Sequence, residues 1–180
     1  MSDSQFTEVL RTELEYIRTA LSLVGIMEGY SKITFIVCQK NHHSRLVYEK
    51  STGAGVEFIN PCPGVVVDAY GGSDSITNSG IFEFYLNSHA AIQGTSKPTK
   101  YSVIYDEIGF KLCEVELLSY WLCYLYARCT KSVSIVTPAY YAHWAARRAK
   151  NLIAAGADVA DLNTISNLWA ANGANHMFFV

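Results

Sequence analysis

The chain has 180 residues, half of them hydrophobic and 17% charged, with a net charge of −2. That is enough for one domain with a sizeable core, and it excludes a disordered polyelectrolyte. It also excludes attraction of the whole chain to a polyanion, so any nucleic-acid role must rest on local charge.

The N-terminus, Met1 to Glu15, is polar and amphipathic and lacks the apolar core of a signal peptide. The longest apolar stretch, Leu117 to Ala127, falls short of the ~20 residues that cross a bilayer. Five cysteines (Cys38, Cys62, Cys113, Cys123 and Cys129) are odd in number, irregularly spaced and without a CxxC pair. That argues against a disulfide framework or structural zinc site and for a reducing interior: the cytoplasm, with the nucleus as a second location.

Ser2 and Gln5 stand at capping-box spacing, and Phe6, Leu10, Leu14, Ile17, Leu21 and Val24 recur at helical period until Gly25. A first helix with one apolar face is expected there. Ile33 to Cys38 is a nearly continuous apolar run rich in β-branched residues, which suits a central strand covered on both faces. Arg45 to Glu49 reads as its hairpin partner and Gly53 to Gly64 as loop. Val65 to Asp68, Ile81 to Leu86 and Tyr101 to Tyr105 read as strands, Gly71 to Gly80 and Ser88 to Pro98 as the loops between them. Glu114 to Arg128 reads as a helix presenting Leu117, Leu118, Trp121, Leu122 and Leu125 on one broad face. A further helix has Thr137 as N-cap, Pro138 at its first position and Gly156 as its stop. Asp158 to Ala171 suits a last short helix, and Met177 to Val180 are apolar enough to be buried. The expected fold is a layered α/β domain with a mixed sheet flanked by helices, the mixture inferred from unequal connection lengths.

Charge is unevenly spread. No acidic residue occurs from Leu117 to Ala157, a stretch that holds Arg128, Lys131, His143, Arg147, Arg148 and Lys150, interleaved with Tyr126, Tyr140, Tyr141 and Trp144. This is either a phosphate footprint or a solvated basic face beside a core-packed aromatic stripe. At ~100° per residue, Arg147 and Lys150 share a face with His143, whereas Arg148 points elsewhere. Gln39 to Arg45, directly after the apolar run, places Lys40, His42, His43 and Arg45 at a strand end, where α/β folds commonly build sites. Adjacent histidines on an extended chain point to opposite faces, which disfavours joint ligation of a metal. The loop Ser88 to Pro98 offers small residues with donors at Gln93, Thr95, Ser96 and Lys97. Asp68, Asp106 and Glu107 lie at strand ends, where catalytic acids of two-metal sites can sit, but spacing forces no close pair and plain strand-end or turn carboxylates are the favoured reading.

These segments together resemble the C-terminal part of the Argonaute PIWI domain. The matching blocks are Ile33–Arg45, Pro63–Asp68, Phe82–Pro98, Tyr101–Asp106 and Leu122–Arg148, within a resemblance running from about Gln5 to Arg148. The resemblance implies an RNase H-like fold, with a partial PIWI domain over residues 1–154 and residues 155–180 as a tail packing on it. It implies binding of a small guide RNA and its target RNA in gene silencing, tryptophan-rich silencing proteins as further partners, and no membrane. Arg148 matches the arginine that reaches the guide 5′-phosphate. Lys40, His89, Lys97, Tyr126, Arg128, Ser134 and Tyr140 match residues that contact the guide backbone. Asn41 stands where a second basic residue is common, and Val136-Thr137 replaces the usual Pro-Ala.

His143 matches the fourth member of the family's catalytic Asp-Glu-Asp-His/Asp tetrad. Met1 to Phe6 matches the stretch after the third Asp, so the other members are expected upstream of this sequence. Two-metal cleavage needs those carboxylates. Mg2+ or Mn2+ is therefore expected only in a full-length active form, with His143 as a metal ligand there, and none for this chain alone. An RNase H-like sheet without its first strands leaves an edge open to aggregation.

Overall fold

The computed structural model describes residues 5–26, 29, 31–53, 55–68, 81–156, 158 and 160. The chain divides into two compact units, Met1–Ile135 and Val136–Val180.

In the first unit, helix α1 (Phe6–Leu23) is followed by strands β1 (Thr34–Gln39), β2 (Tyr48–Thr52), β3 (Gly55–Ile59), β4 (Val65–Asp68), β5 (Phe82–Asn87) and β6 (Thr99–Asp106), then by helix α2 (Leu112–Leu122). Four strands form one sheet in the order β1-β6-β5-β4, and β2-β3 form a separate hairpin. All four pairings among the described residues are antiparallel. The mixed sheet expected from connection lengths is therefore not seen within them; a long connection fixes how far the chain travels, not the direction in which it returns.

The core is built on strand alternation. On one face of β5 and β6, Phe84 lies opposite Tyr101 in register. Their rings stack at 5.1 Å between centroids, and Phe82 stacks on Phe84 at 5.4 Å. Phe84, Leu86 and Tyr101 are wholly buried. The other face is polar: Glu83 accepts from Ser102 Oγ (2.8 Å) and pairs with Lys100 Nζ (2.7 Å).

Helix α1 buries Phe6, Val9 and Leu14 and packs against β6. It ends as expected at Gly25, whose φ of +81° suits the left-handed stop. The N–H groups of Gly25 and Ile26 there reach the carbonyls of Ser22 and Leu21. Its N-cap, Gln5, makes no side-chain cap, and Ser2 lies outside the described residues. Arg18 ties the helix to the sheet: Nη2 donates to Tyr105 Oη (2.6 Å) and Glu107 Oε1 (2.7 Å). Glu107 also accepts from Tyr105 Oη and from the Ile33 N–H (2.9 Å).

Several expectations need correction. Among the described residues β1 lies at the edge of the sheet, pairing with β6 alone, and only Val37 in it is buried. A β-branched run shows that residues prefer a pleated, covered surface, whereas pairing decides their place in the sheet. Arg45 to Glu49 is not its partner: β2 pairs with β3, inside the stretch read as loop, and every residue of that hairpin is exposed. The hairpin closes through Thr52 Oγ1 and the Gly55 carbonyl (3.0 Å), a local contact hidden by the surrounding turn residues. Helix α2 stops at Leu122 rather than Arg128 and buries Leu112, Val115 and Ser119. Leu117, Trp121 and Leu125, expected on its packed face, are exposed by 46%, 59% and 64%. The helix packs against β5 and is apolar around most of its girth, so its sequence does not mark which side is buried. Gly64 completes that contact: at φ +96°, an added Cβ would come within 3.1 Å of the Tyr120 ring.

The second unit contains α3 (Thr137–Ala154), which ends at Gly156 (φ +95°) as expected. Thr137 is its first residue rather than its cap, which is Val136, and the Thr137 hydroxyl makes no hydrogen bond among the described residues. A boundary shift of one residue is enough to exchange these roles. The expected loop Gly71–Gly80, most of the expected helix Asp158–Ala171 and the segment Met177–Val180 lie outside the described residues. No helix among the described residues is long and apolar enough to cross a membrane.

Phe84→Ala should destabilise the chain by about 3 kcal/mol or more, read as a lowered urea midpoint, because it empties a wholly buried ring site between two stacked neighbours. Glu107 is held below its ordinary value of 4.5, first by the hydrogen bond from Tyr105 and then by that from Ile33. A lowered folded-state value gives stability that is present above 4.5 and lost as pH falls through the folded value. The urea midpoint should therefore drop in acid below pH 4.5, and Glu107→Gln should make that drop shallower.

Candidate nucleic-acid interface

The antiparallel register gathers the C-terminal ends of β1 and β5 and the N-terminal end of β6 at one end of the sheet. Lys40 follows β1, Ser88 and His89 follow β5, and Lys97 and Pro98 precede β6. Residues almost sixty positions apart thus become neighbours. The loop after α2 brings Ser134 to the same place, where Lys40 Nζ donates to Ser134 Oγ.

Burial shapes the charge here. The Lys40 ammonium is held below its usual range, first by burial and then by Lys97, while Cys123 opposes the shift. His89 is lowered from 6.5, first by burial and then by Lys40. His42 is lowered too, first by burial and further by Lys97, Arg45 and Lys100, against a hydrogen bond to the Pro98 carbonyl that raises it. That bond, from Nε2 at 2.9 Å, fixes the proton on Nε2. Nδ1 of both His42 and His89 is buried with no hydrogen-bond partner among the described residues. The site is a half-buried cluster of cations beside two imidazoles biased toward the neutral form, an arrangement that suits an anion.

Tyr126, buried, and Arg128, exposed, follow α2 in the same unit. Tyr140, His143 and Arg148 lie along α3 in the second unit, with His143 and Arg148 exposed. The Arg147 guanidinium lies 5.4 Å from the centre of the Trp144 ring, as in a cation–π contact. So Lys40, His89, Lys97 and Ser134 are brought together, and Tyr140, His143 and Arg148 share one helix.

The sequence offered no signal for Thr99 or Asn60, and Ser88 was legible only as the start of the loop Ser88 to Pro98. Ser88 and Thr99 donate to the loop that carries Ser134. Asn60, at the foot of the hairpin, donates to the Gly94 carbonyl (2.7 Å) and accepts from the Ser96 N–H (2.9 Å), fixing the loop before Lys97.

Of the three strand-end carboxylates, Asp106 takes a turn-capping role. Asp106 accepts from Thr34 Oγ1 (2.6 Å) and from the N–H groups of Ile108 (3.0 Å) and Phe110 (2.8 Å). Among the described residues no group of three or more His, Cys, Asp or Glu side chains is placed to hold a metal ion. A pair of divalent ions does not fit this donor set.

A Piwi domain model matches residues 1–154. Protein argonaute 5 of Arabidopsis thaliana is 47% identical over 153 residues, covering 83% of this chain and 15% of that protein. Protein argonaute 11 of Oryza sativa subsp. japonica is 46% identical over 159 residues, covering 87% and 17%. This chain belongs to the Argonaute family. It spans only 14–17% of the length of these and other curated argonautes that it matches. The crystal structure of Kluyveromyces polysporus Argonaute with a guide RNA aligns with a TM-score of 0.66 at 29% identity, over 83% of this chain and 18% of that one. The C-terminal lobe of a budding yeast Argonaute aligns with a TM-score of 0.65 at 28% identity, over 82% and 30%. The α/β arrangement described above is thus that of an Argonaute C-terminal lobe.

By proton NMR, His89 should titrate below 6.5. Lys40→Met should move its midpoint upward while leaving it below 6.5, because the larger cause, burial, remains.

Proposed function

We propose that this chain is the part of an Argonaute that holds the sugar–phosphate backbone of a small guide RNA, in RNA-mediated gene silencing in the cytoplasm. The observation that carries this reading is the pairing of Lys40 with Ser134, beside His89 and Lys97, at one end of the sheet. A half-buried ammonium next to a hydroxyl and an imidazole suits a phosphate oxygen, which supplies the opposing charge that burial makes scarce. Such contacts hold a backbone without reading its bases, leaving sequence choice to pairing with a target RNA. The guide RNA in the Kluyveromyces polysporus structure supports the same reading.

On this proposal Arg148 receives the guide 5′-phosphate, and Tyr126, Arg128 and Tyr140 contact the backbone. Slicing is not assigned to this chain alone: two-metal cleavage needs several carboxylates, and His143 stands in no such group among the described residues. A longer form carrying those carboxylates would use Mg2+ or Mn2+, with His143 among the ligands.

A second reading, a surface for tryptophan-rich silencing proteins, is favoured by the exposed Leu117 and Trp121 on α2 and the exposed Leu125 shortly after it. Exposed apolar side chains suit a protein contact better than a phosphate backbone.

Binding of a short 5′-phosphorylated single-stranded RNA, followed by fluorescence anisotropy, tests the first reading. Log affinity should fall linearly with log salt, with a slope of about −0.7 for each phosphate neutralised. Lys40→Ala should weaken binding about tenfold and make the slope shallower by about 0.7. Absence of salt-dependent binding, with capture of a tryptophan-bearing peptide instead, would favour the second reading.

A further inference from the structure

Lys40 can share a phosphate with Ser134 only if the loop carrying Ser134 is held still. After α2 the chain runs through an irregular segment to Ile135, without helix or strand to fix it. Its backbone polar groups must therefore find partners elsewhere. The Val133 N–H donates to the Cys123 carbonyl at 2.9 Å, anchoring the loop to the end of α2. The Val133 carbonyl accepts from Ser88 Oγ at 2.6 Å, and the Ser134 carbonyl accepts from Thr99 Oγ1 at 2.5 Å. Ser88 follows β5 and Thr99 opens β6; both side chains are wholly buried. Ile135, the next residue, is 4% exposed and fixes the far side of the loop.

Two consecutive carbonyls are thus gripped by two buried hydroxyls from adjacent strand ends. With both carbonyls turned toward the sheet, the orientation of the Ser134 Cα–Cβ bond is set, and its hydroxyl meets Lys40. We infer that Ser88 and Thr99 are positioning residues for RNA binding: they clamp the Val133–Ser134 peptides so that Ser134 and Lys40 form a single preorganised phosphate receptor. Neither has to touch RNA; they act through Ser134. A loop ordered before the ligand arrives has no ordering entropy left to lose on binding, so the clamp raises affinity without adding a contact.

This inference rests on the guide-binding reading, and a double-mutant cycle separates the two. The measured quantity is affinity for a short 5′-phosphorylated single-stranded RNA, with the full chain, at a temperature where near-ultraviolet circular dichroism shows each variant folded. Thr99→Val keeps the shape and removes the donor; it should weaken binding about tenfold. Thr99→Ser keeps the donor and should bind like the parent. In a Ser134→Ala background, Thr99→Val should add little further loss, because the two substitutions break one chain of contacts.

A purely structural threonine would lower the melting temperature and leave the affinity of the folded protein unchanged; that result overturns the inference. So does a loss of equal size in both backgrounds, which would mean that Thr99 does not act through Ser134. Should Thr99→Val fail to fold, Ser88→Ala runs the same cycle through the Val133 carbonyl with the same expected outcomes. If the parent chain binds no RNA, the guide-binding reading fails and this inference with it. If the parent binds and every clamp variant binds equally well, only the clamp is refuted.

Discussion

Much of the first unit depends on β6. It pairs with β1 on one side and β5 on the other, both antiparallel, and presents Tyr101 and Val103 to the core. That arrangement brings three chain segments to one end of the sheet, carrying Lys40, His89 and Lys97. At the other end of the same strand, Asp106 and Glu107 receive hydrogen bonds from Thr34, Ile33 and Arg18. A single slip in register would send Phe84 and Tyr101 to the polar face and scatter the cluster together with the core.

The site joins this scaffold to an electrostatic problem. The chain as a whole is slightly acidic, yet one sheet end carries several cations and two imidazoles biased toward the neutral form by burial and like charge. Lys40 is partly desolvated, and its ammonium donates to the Ser134 hydroxyl, a neutral group. On the proposed reading a phosphate would supply an opposing charge, so the same burial that disfavours the free ammonium would strengthen the bound state. Rigid strand ends make that gain available without reorganisation.

The legible parts of the sequence were those governed by local rules. The span of α1 and its glycine stop, the short strand β4, the strands β5 and β6, and the end of α3 at Gly156 all follow from periodicity and turn chemistry. The long blocks from Ile33 to Arg148 led to the family, and Lys40, His89, Lys97 and Ser134 could be named through it. Where one signal served two outcomes, the reading failed. An apolar β-branched run fits a central or an edge strand, so it did not say that β1 would lie at the edge of the described sheet. Gly53, Gly55 and Asn60 surround a hairpin as readily as a loop, so β2–β3 went unseen. An α2 that is apolar around most of its girth does not declare which side packs, and the side carrying Trp121 faces outward.

The sequence by itself determined the family, the main elements and which residue types are available to meet a phosphate, because helical period, glycine stops and long family blocks are properties of neighbours along the chain. Only the tertiary structure decided that Ser88 and Thr99 grip consecutive carbonyls, that Asn60 braces the loop before Lys97, and that Lys40 meets Ser134. These are contacts between residues 34 to 94 positions apart, and their existence depends on strand order and register, which no local pattern encodes.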